Sequence, residues 1–406
     1  MKFNAHLTVA RNEAEAIERL AATGCTPEGA AKMMLKLRHY AIKLEGVSSP
    51  AANILKQEML SLGGEAAILR EALTDPKAKG NVMLMGTVRQ LRDLARKLAP
   101  QPFGLKQLGQ DLPRLIENAE RSEFVIPTRR GDLVMKERPL LMGIVNVTPD
   151  SFYDGGRFAE TGAAVEQALK LVVDGADILD VGGESTRPGS DPLPVAEELK
   201  RVVPVIEALA EKVKAPISVD TRKAEVARKA LAAGACILND VSALGYDPEL
   251  AGVAAEAKVP LILMHIQGTP KDMQADPHYD DLFGEIIAFL RERIERATAA
   301  GVSEEMILVD LGIGFGKTAA HNLELIRDLW RLRSLGRPIV LGHSNKSFIG
   351  QVLKVEKDDR AEGSAAAAVA GVLAGAHVLR VHDVAYHRRF AEMAAAIRAG
   401  RNLREE

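Results

Sequence analysis

Short apolar runs alternate with longer amphipathic stretches from residue 139 to the end of the chain. Runs rich in branched apolar residues are typical of buried parallel strands, and eight occur, at 140–147, 177–183, 216–221, 236–242, 260–266, 306–314, 338–344 and 377–384. Helical spacing of apolar positions fills the intervals, as at 163–174, 194–212, 223–233, 280–299 and 365–374. Eight strand–helix units predict an α/β fold of the (β/α)8 TIM-barrel type, although the strand count alone leaves an open doubly wound sheet possible.

Polar residues at the ends of these runs favour the closed barrel. Nearly every predicted strand ends in polar side chains, which are Asn146, Glu184, Asp220, Asn239, Asp240, His265, Asp310, Ser344, His382 and Asp383. The carboxyl ends of barrel strands converge on one mouth, so residues far apart in sequence become neighbours there. In an open sheet the same side chains would lie along an edge too long to share one ligand.

The first 137 residues have a different pattern. Amphipathic helical spacing covers 14–24, 26–46 and 86–100, and the segment 82–86 is typical of a strand. This part of the sequence contains no catalytic motif. We therefore predict two domains: a smaller helix-rich α/β domain of unknown role over 1–137, and the barrel over 138–406.

Charge and cysteine content exclude several classes of protein. The formal net charge of −2 provides no global basic field to hold nucleic acid or an anionic membrane. Cys25 and Cys236 fit no zinc or redox spacing, so both are expected to be buried apolar residues. The N-terminal sequence mixes charges and lacks the apolar run of a signal peptide or membrane span. We expect a cytoplasmic protein that acts on small molecules.

The loops and strand ends at the predicted mouth carry polar and charged groups, some of them suited to anions. NVTPDSFYDGG and GGESTRPGS combine Gly and Pro turns with exposed polar groups, among them the planar cation of Arg187. Arg380 and His382 alternate along the last strand, so they face one side and predict a compact anion site. Asp220 and Asn239 each follow a strand whose neighbouring residues are apolar, so their side chains should point inward at the mouth.

The segment GIGFGKT at 312–318 is superficially similar to a phosphate-binding glycine loop. The GxxxxGK[ST] pattern requires a glycine where this chain has Leu311. The sequence therefore predicts no nucleotide site here.

Seven motifs in order resemble the dihydropteroate synthase family, and the resemblance covers the barrel but no part of 1–137. The motifs are MGIVNVTPDSFYDGGRF (142–158), GGESTRPGS (182–190), SVDTRK (218–223), ILNDVSAL (237–244), VDLGIGFGKT (309–318), GHSNKSFIG (342–350) and RVHDV (380–384). The family condenses 7,8-dihydropterin pyrophosphate with p-aminobenzoate to give 7,8-dihydropteroate in folate biosynthesis. The resemblance implies this activity, with Mg²⁺ as cofactor, and leaves a homodimer through the barrel possible.

The resemblance also implies roles for individual residues. Asn146 would bind the pyrophosphate and its Mg²⁺, with Asp150 completing that site. The p-aminobenzoate site would contain Thr186, Arg187, Pro188 and Ser347. The pterin site would be formed by Asp220, Asn239, Asp310, Gly342 and Lys346, between apolar walls supplied by Val241, Met264 and Phe315. Arg380 and His382 would hold the leaving pyrophosphate, and the catalytic set would be Asp220, Asp310, Lys346, Arg380 and His382.

Two positions depart from the family pattern, and three alternative functions remain at this stage. Leu311 and Asn345 stand where the family commonly has proline and arginine, so altered affinities with retained chemistry are expected. A pterin-dependent methyltransferase would share the barrel and the pterin acids, but it would have no use for the STRPG loop or the anion site. A non-catalytic pterin-binding protein would have little reason to keep the two loops. A bifunctional chain is disfavoured because residues 1–137 are short and contain no nucleotide motif.

Overall fold

The computed structural model describes residues 3–147, 157–186, 189–401 and 403, with backbone alone at 157–160. Contacts between residues divide the chain into two compact units, Met1–Glu120 and Arg121–Glu406. Each unit has its own apolar core.

The first unit is an antiparallel sheet covered by helices. Its elements are α1 (Glu13–Ala21), α2 (Pro27–Leu37), β1 (His39–Ser48), α3 (Ser49–Ser61), β2 (Glu65–Ala67), β3 (Lys79–Thr87), α4 (Val88–Leu98) and α5 (Leu105–Glu120). The strand order is β1-β3-β2, so β3 is central. Its core combines residues of α3, α4 and α5 with the buried face of β3. This arrangement agrees with the predicted small helix-rich α/β domain.

One predicted helix in this unit is wrong over its second half. The sequence predicts a helix over 26–46, but α2 ends at Leu37 and residues 39–48 form β1. The side chains of β1 alternate between exposed positions and more buried ones at Tyr40, Ile42 and Leu44. That period of two is the strand pattern, and it places Ile42 in the core of the unit. The helices α3 and α5 were also absent from the prediction.

The second unit is a closed barrel of eight parallel strands, which confirms the predicted TIM-barrel fold. The barrel strands are β6 (Leu140–Asn146), β7 (Ile178–Gly182), β8 (Ile217–Asp220), β9 (Ile237–Asp240), β10 (Leu261–Met264), β11 (Ile307–Asp310), β12 (Ile339–Leu341) and β13 (Val378–Val381). The helices outside them are α6 (Arg157–Val173), α7 (Val195–Lys212), α8 (Ala224–Ala232), α9 (Leu250–Ala257), α10 (Leu282–Ala299), α11 (Ala319–Arg327), α12 (Ser347–Leu353), α13 (Ala361–Leu373) and α14 (Val384–Ala399).

Alternate residues of each strand face the barrel interior or the surrounding helices. The interior begins with an apolar layer of Leu140, Met142, Ile178, Ile237, Ile262, Leu308, Val340 and Val378. The residues between them pack in a larger outer core against the helices. Because strand side chains repeat every second residue, the next interior position lies two residues further on, toward the mouth. There four strands carry polar side chains, which are Asp180, Asn239, Asp310 and Arg380.

A short hairpin belongs to the barrel unit and moves the domain boundary. The sequence predicts the boundary after residue 137, whereas the compact units divide after Glu120. Strands β4 (Phe124–Ile126) and β5 (Leu133–Met135) pair in antiparallel fashion. Their inward side chains are buried in the same cluster as the interior apolar layer. The hairpin therefore covers the end of the barrel opposite the mouth.

Cysteine burial and helix composition bear on two further expectations. Cys236 is buried, as expected, while Cys25 is only half-buried, and both are free thiols. Within the described ranges, no helix is both long and apolar enough to cross a membrane.

Candidate active site

Four polar side chains occupy the first interior layer at the mouth of the barrel. They are Asp180, Asn239, Asp310 and Arg380, each two residues beyond an interior apolar position on its strand. Asp220 is the last residue of β8 and pairs in register with Asn239 of β9. Because the strands are tilted relative to the barrel axis, Asp220 lies one interior layer nearer the mouth than Asn239. Residues separated by up to 200 positions in sequence are thus brought within hydrogen-bonding distance.

The Arg380 guanidinium is held by two carboxylates. Its Nε donates to Asp180 Oδ2 at 2.6 Å, and its Nη2 donates to Asp220 Oδ2 at 2.7 Å. Asn239 Nδ2 donates to the same Asp180 oxygen at 3.1 Å. Asp180 is fully buried, while one-fifth of the Arg380 side chain is exposed. The exposed part leaves the remaining N–H groups of Arg380 available to an anion at the mouth.

Burial raises the pKa of both aspartates at the ends of β8 and β11. The pKa of Asp220 rises to about 7, chiefly by desolvation, although the Arg380 charge lowers it. Desolvation also raises the pKa of Asp310, against the hydrogen bond from Gly312 N and the charge of Lys346. The Asp220 carboxyl can therefore carry or lose a proton near neutral pH, and both carboxyl groups can bind a ring edge that presents N–H groups.

Lys346 and an apolar cluster lie beside these carboxylates at the mouth. Lys346 Nζ lies 4.1 Å from the centroid of the Phe315 ring. Burial and the neighbouring Arg380 charge lower the pKa of Lys346 to about 8, while Asp310 and Asp220 act against the shift. Phe315 packs in one buried cluster with Val241, Met264 and Met273. A flat ring could lie against this cluster with its polar edge toward the aspartates.

The loop after β11 is fixed by left-handed glycines and hydrogen bonds from neighbouring segments. Gly312, Gly314 and Gly316 all have positive φ. A methyl group at Gly312 would collide with the carbonyl oxygen of His265. Side chains outside the loop bind its backbone, through Asn322 Oδ1 to Gly314 N at 2.8 Å and Tyr279 OH to Gly316 O at 2.9 Å. These contacts hold the backbone on both sides of Phe315.

Lys317 is buried beneath the loop after β11 and contacts groups of the protein itself. Its Nζ is buried and donates to His265 Nδ1 and to Phe315 O, both at 2.9 Å. Burial lowers the pKa of Lys317 to about 7, against the charge of Asp310. Burial and the Lys317 charge also lower the pKa of His265, to about 2. The pair joins the ends of β10 and β11 beneath the loop.

The two departures from the family pattern have local structural accounts. Leu311 is fully buried in the outer core, and Asp310 Oδ1 accepts from Gly312 N at 2.7 Å, so the carboxylate is oriented without a proline. Asn345 has a left-handed backbone with φ of 57°, a conformation that asparagine tolerates well. Its carbonyl oxygen accepts from Arg360 Nη1 at 3.2 Å. The Arg360 guanidinium therefore places a positive charge beside this loop, where the family commonly has the arginine that Asn345 replaces.

The remaining candidate residues lie around the rim. Asn146 ends β6 and is partly exposed, in register with Gly182 of β7. His382 is exposed after β13, with its Nδ1 3.1 Å from Ser344 Oγ. Ser347 is exposed at the start of α12, and Gly342 directly follows β12, where an added Cβ would be 3.6 Å from Asp310 Oδ2. Thr186 is partly exposed after β7, and Arg187, Pro188 and Asp150 lie outside the described residues.

A buried group of charges joins the two ends of the loop after β7. Lys223 Nζ donates to Glu184 Oε2 at 2.9 Å and to Leu193 O at 2.7 Å, and it also pairs with Glu198 of α7. Glu184 Oε1 accepts from Leu193 N at 3.0 Å and from Arg222 at 2.8 Å. Burial raises the pKa of Glu184, but the hydrogen bonds from Arg222 and Lys223 outweigh it and lower the pKa overall.

Removing the ammonium at the centre of this group should destabilise the barrel. Lys223→Met leaves Glu198, which is fully buried, without its cation, and an uncompensated buried charge costs about 3–5 kcal/mol. Urea denaturation should show that loss in the free energy of unfolding. Lys229→Met on the exposed face of α8 is the matched control, and should change it by less than about 0.5 kcal/mol. Equal effects of the two changes would contradict this account of Lys223.

Sequence reasoning missed three residues that contribute to the site. Asp180, Lys317 and Met273 are all buried at or beside the mouth. A signal for Asp180 was present, because a charged residue inside the apolar run ILDVG must be paired when it is buried. Met273 lies in a loop after β10, where no periodicity points to the core.

Comparison with known proteins extends over the whole barrel. The family described as "Pterin binding enzyme" matches residues 142–382. The dihydropteroate synthase of Escherichia coli strain K12 is 48% identical over 255 residues, which cover 63% of this chain and 90% of that protein. The crystal structure of the Yersinia pestis dihydropteroate synthase with a sulfonamide drug complex has a TM-score of 0.64 and 42% identity, and covers 68% of this chain and all of that one.

A further relative extends the similarity into the first unit. A probable bifunctional folylpolyglutamate synthase/dihydropteroate synthase of Halobacterium salinarum is 42% identical over 378 residues, which cover 92% of this chain. This chain spans 45% of the length of that relative. The structure of the Xanthomonas albilineans dihydropteroate synthase with 4-aminobenzoic acid has 47% identity and a TM-score of 0.62, over 66% of this chain and 96% of that one. From the barrel, its polar mouth and these relatives, the chain belongs to the pterin-binding enzyme family and, within it, to the dihydropteroate synthases.

Proposed function

We propose that the mouth of the barrel condenses 7,8-dihydropterin pyrophosphate with p-aminobenzoate through the residues described above. The observation that carries this assignment is the Arg380 guanidinium, which is partly exposed at the mouth and adjoins Asp180 and Asp220. An anion site and a ring-binding site therefore share one opening. A substrate with a pyrophosphate one methylene away from a pterin ring needs that combination.

The pterin ring would lie between the apolar cluster and the carboxylates. Asp220 and Asp310 accept from the guanidinium-like edge of the ring, and the amide oxygen of Asn239 is left to accept as well because its Nδ2 is engaged by Asp180. Lys346, above the Phe315 ring, donates to a ring acceptor. A relative binds a molecule that contains this ring, since one structure of the Xanthomonas albilineans dihydropteroate synthase is in complex with 7,8-dihydropteroate.

The chemical step is an alkyl transfer without a protein nucleophile. The bond between the methylene carbon and the pyrophosphate oxygen breaks, and its electron pair leaves with the pyrophosphate. The lone pair of the p-aminobenzoate nitrogen forms the new carbon–nitrogen bond, and that nitrogen releases a proton. Arg380 and His382 stabilise charge on the departing pyrophosphate, while Asp220 and Asp310 stabilise positive charge on the pterin. All of these groups are preorganised at the strand ends.

Mg²⁺ fits this site as a companion of the pyrophosphate. In the described ranges no group of three or more His, Cys, Asp or Glu side chains could hold a metal ion alone. The Asn146 carboxamide is a hard oxygen donor at the rim, and it suits a cation that takes its other ligands from phosphate and water. When bound, Mg²⁺ would neutralise charge on the leaving pyrophosphate.

The p-aminobenzoate side of the site would be formed by the loop after β7 and by the start of α12. We assign Thr186, Arg187, Pro188 and Ser347 to it. Lys223 donates hydrogen bonds to Glu184 at one end of this loop and to Leu193 O at the other, so both ends are held in place. The enzyme would act in the cytoplasm on small-molecule substrates.

A homodimer through the barrel is part of the proposal. Large apolar side chains are exposed on neighbouring segments between α11 and α14, among them Trp330 at 52%, Leu373 at 45% and Ile397 at 53%. The helices α11, α12 and α13 contact one another, and α13 packs on α14. A second copy of the same surface would cover these side chains. Sedimentation equilibrium of the full chain measures this association.

Ordered binding and product formation test the proposed function. The full chain, mixed with 7,8-dihydropterin pyrophosphate, p-aminobenzoate and Mg²⁺, should form 7,8-dihydropteroate and pyrophosphate, which chromatography resolves. Titration calorimetry should detect p-aminobenzoate binding only after Mg²⁺ and pyrophosphate are present. Omitting Mg²⁺ is the control, and it should abolish both signals. Pterin binding without product would instead assign a non-catalytic pterin-binding role.

A further inference from the structure

Asp180 is a fully buried carboxylate that the proposed chemical step does not use. It lies in the middle of β7, on the interior face, with Gly182 beyond it at the mouth. Its Oδ2 accepts two hydrogen bonds, from Arg380 Nε at 2.6 Å and from Asn239 Nδ2 at 3.1 Å. Its Oδ1 is buried without a hydrogen-bond partner. A charge placed so deep in an apolar strand is costly unless it serves the groups it contacts.

The two contacts of Asp180 reach both halves of the proposed substrate site. Arg380 is assigned to the pyrophosphate and Asn239 to the pterin, and one oxygen of Asp180 orients both. The contact with Arg380 Nε fixes the plane of the guanidinium, because Nε is the nitrogen next to the side-chain stem. The contact with Asn239 Nδ2 fixes which way the amide faces, so that its oxygen is turned away from Asp180.

Asp220 cannot hold Arg380 and the pterin equally well. In the structure Asp220 Oδ2 accepts from Arg380 Nη2 at 2.7 Å. A pterin edge that donates to Asp220 competes for that acceptor. Asp180 keeps Arg380 paired when Asp220 turns to the ring, so the guanidinium remains in place for the pyrophosphate.

We propose that Asp180 is the positioning residue of this site: it holds Arg380 and Asn239 in their working orientations and releases Asp220 for the pterin. The inference rests on the proposed function, since it assigns no chemistry of its own to Asp180. Without Asp180, Arg380 would be drawn wholly to Asp220, and the pterin would lose an acceptor.

The pH dependence of the reaction carries a signature of this role. Asp220 is faced by Arg380 of β13 and Lys346 before α12, and by the acidic groups Asp180 of β7, Glu198 of α7 and Asp240 of β9. Burial raises the pKa of Asp220 to about 7, Arg380 lowers it, and Asp180 raises it. Because the ionised carboxylate is the acceptor, kcat/KM should rise with pH through that value. Removing the Asp180 charge should move this acidic limb to lower pH.

The isosteric change Asp180→Asn tests the proposal against Ser218→Ala. Ser218 is the register partner of Asp180 on β8, is equally buried, and its hydroxyl has no hydrogen-bond partner. We expect Asp180→Asn to lower kcat/KM for the pterin pyrophosphate at least tenfold, to move the acidic limb downward, and to change KM for p-aminobenzoate less than threefold. Ser218→Ala should match the wild type in all three. Wild-type turnover in the same assay separates this test from the proposed function, because an inactive wild type would reject that function instead.

A double-mutant cycle with Arg380→Met distinguishes positioning from simple structural support. If Asp180 acts through Arg380, then Asp180→Asn should add less than twofold to the loss already caused by Arg380→Met. Effects that multiply, or an Asp180→Asn enzyme with unchanged kcat/KM and an unmoved acidic limb, overturn the proposal. Should Asp180→Asn fail to fold, the same cycle applies to Asp180→Glu, which keeps the charge but displaces the carboxylate.

Discussion

Lys346→Ala should reduce kcat/KM by roughly 10²- to 10³-fold, the loss expected when one preorganised donor is removed from a site that develops charge. The ammonium lies above the Phe315 ring and near both Asp220 and Asp310, so its removal takes away a donor to the pterin and the cation that offsets two carboxylates. With its aliphatic stem also gone, the apolar cluster loses part of its cover. Steady-state kinetics with both substrates varied measures the effect.

Lys357→Ala is the matched control for Lys346→Ala. Lys357 is exposed in a short 3₁₀ helix eleven residues further along the chain, remote from the strand ends. It should retain wild-type kcat/KM, and both variants should give the circular dichroism spectrum of the wild type. A Lys346→Ala enzyme within twofold of the wild type would remove Lys346 from the site.

Asp310→Asn should raise the activation free energy that corresponds to kcat/KM by about 2–5 kcal/mol, which lowers kcat/KM roughly 30- to 5,000-fold. The amide has the shape of the carboxylate and can still accept from Gly312 N through Oδ1, so the loop after β11 should keep its conformation. What disappears is the second acceptor and the negative charge opposite a cationic pterin. The fall should appear in kcat as well as in KM for the pterin pyrophosphate.

Asp240→Asn provides the contrast for Asp310→Asn. Asp240 is another buried strand-end aspartate, but its oxygens accept from Ser242 N at 2.8 Å and Leu244 N at 2.6 Å within its own loop. These bonds support Ala243 and Leu244, which both have left-handed backbone. Asp240→Asn should therefore lower the free energy of unfolding by about 1–3 kcal/mol and leave kcat/KM nearly unchanged at pH values above the acidic limb. The reverse pattern, with Asp240→Asn inactive and Asp310→Asn active, would refute the assignment of the pterin acids.

The barrel was accessible from sequence because its signal is repeated eight times. Each barrel strand is packed on both of its faces, so it appears in the sequence as a continuous apolar run rather than as alternating apolar and polar residues. All eight observed barrel strands fall within the predicted runs. The segment 39–48 carries a single strand next to a helix, and its apolar residues also satisfy helical spacing in part. Only its pairing with β3 decides the outcome, and pairing is not visible in one sequence.

The site was only partly accessible for a related reason. Residues at strand ends, such as Asp310 and Arg380, are identified by position, because topology brings the ends of all strands together. Asp180 lies in the same layer but inside its strand rather than at the end of it, and its importance depends on which side chains reach it across the barrel from β9 and β13. Asn345 differs again, since its suitability arises from a backbone angle that the sequence does not specify.

The hairpin of β4 and β5 determines where the barrel can be cut from the rest of the chain. Its residues Phe124, Ile126, Leu133 and Met135 seal the floor formed by the interior apolar layer. A fragment beginning near Lys136 would leave that floor open to water, and such a patch favours aggregation. A fragment beginning at Arg121 would retain the seal. For crystallisation or inhibitor screening of the barrel alone, the fragment should therefore begin before the hairpin of β4 and β5 rather than at β6, the first strand of the barrel.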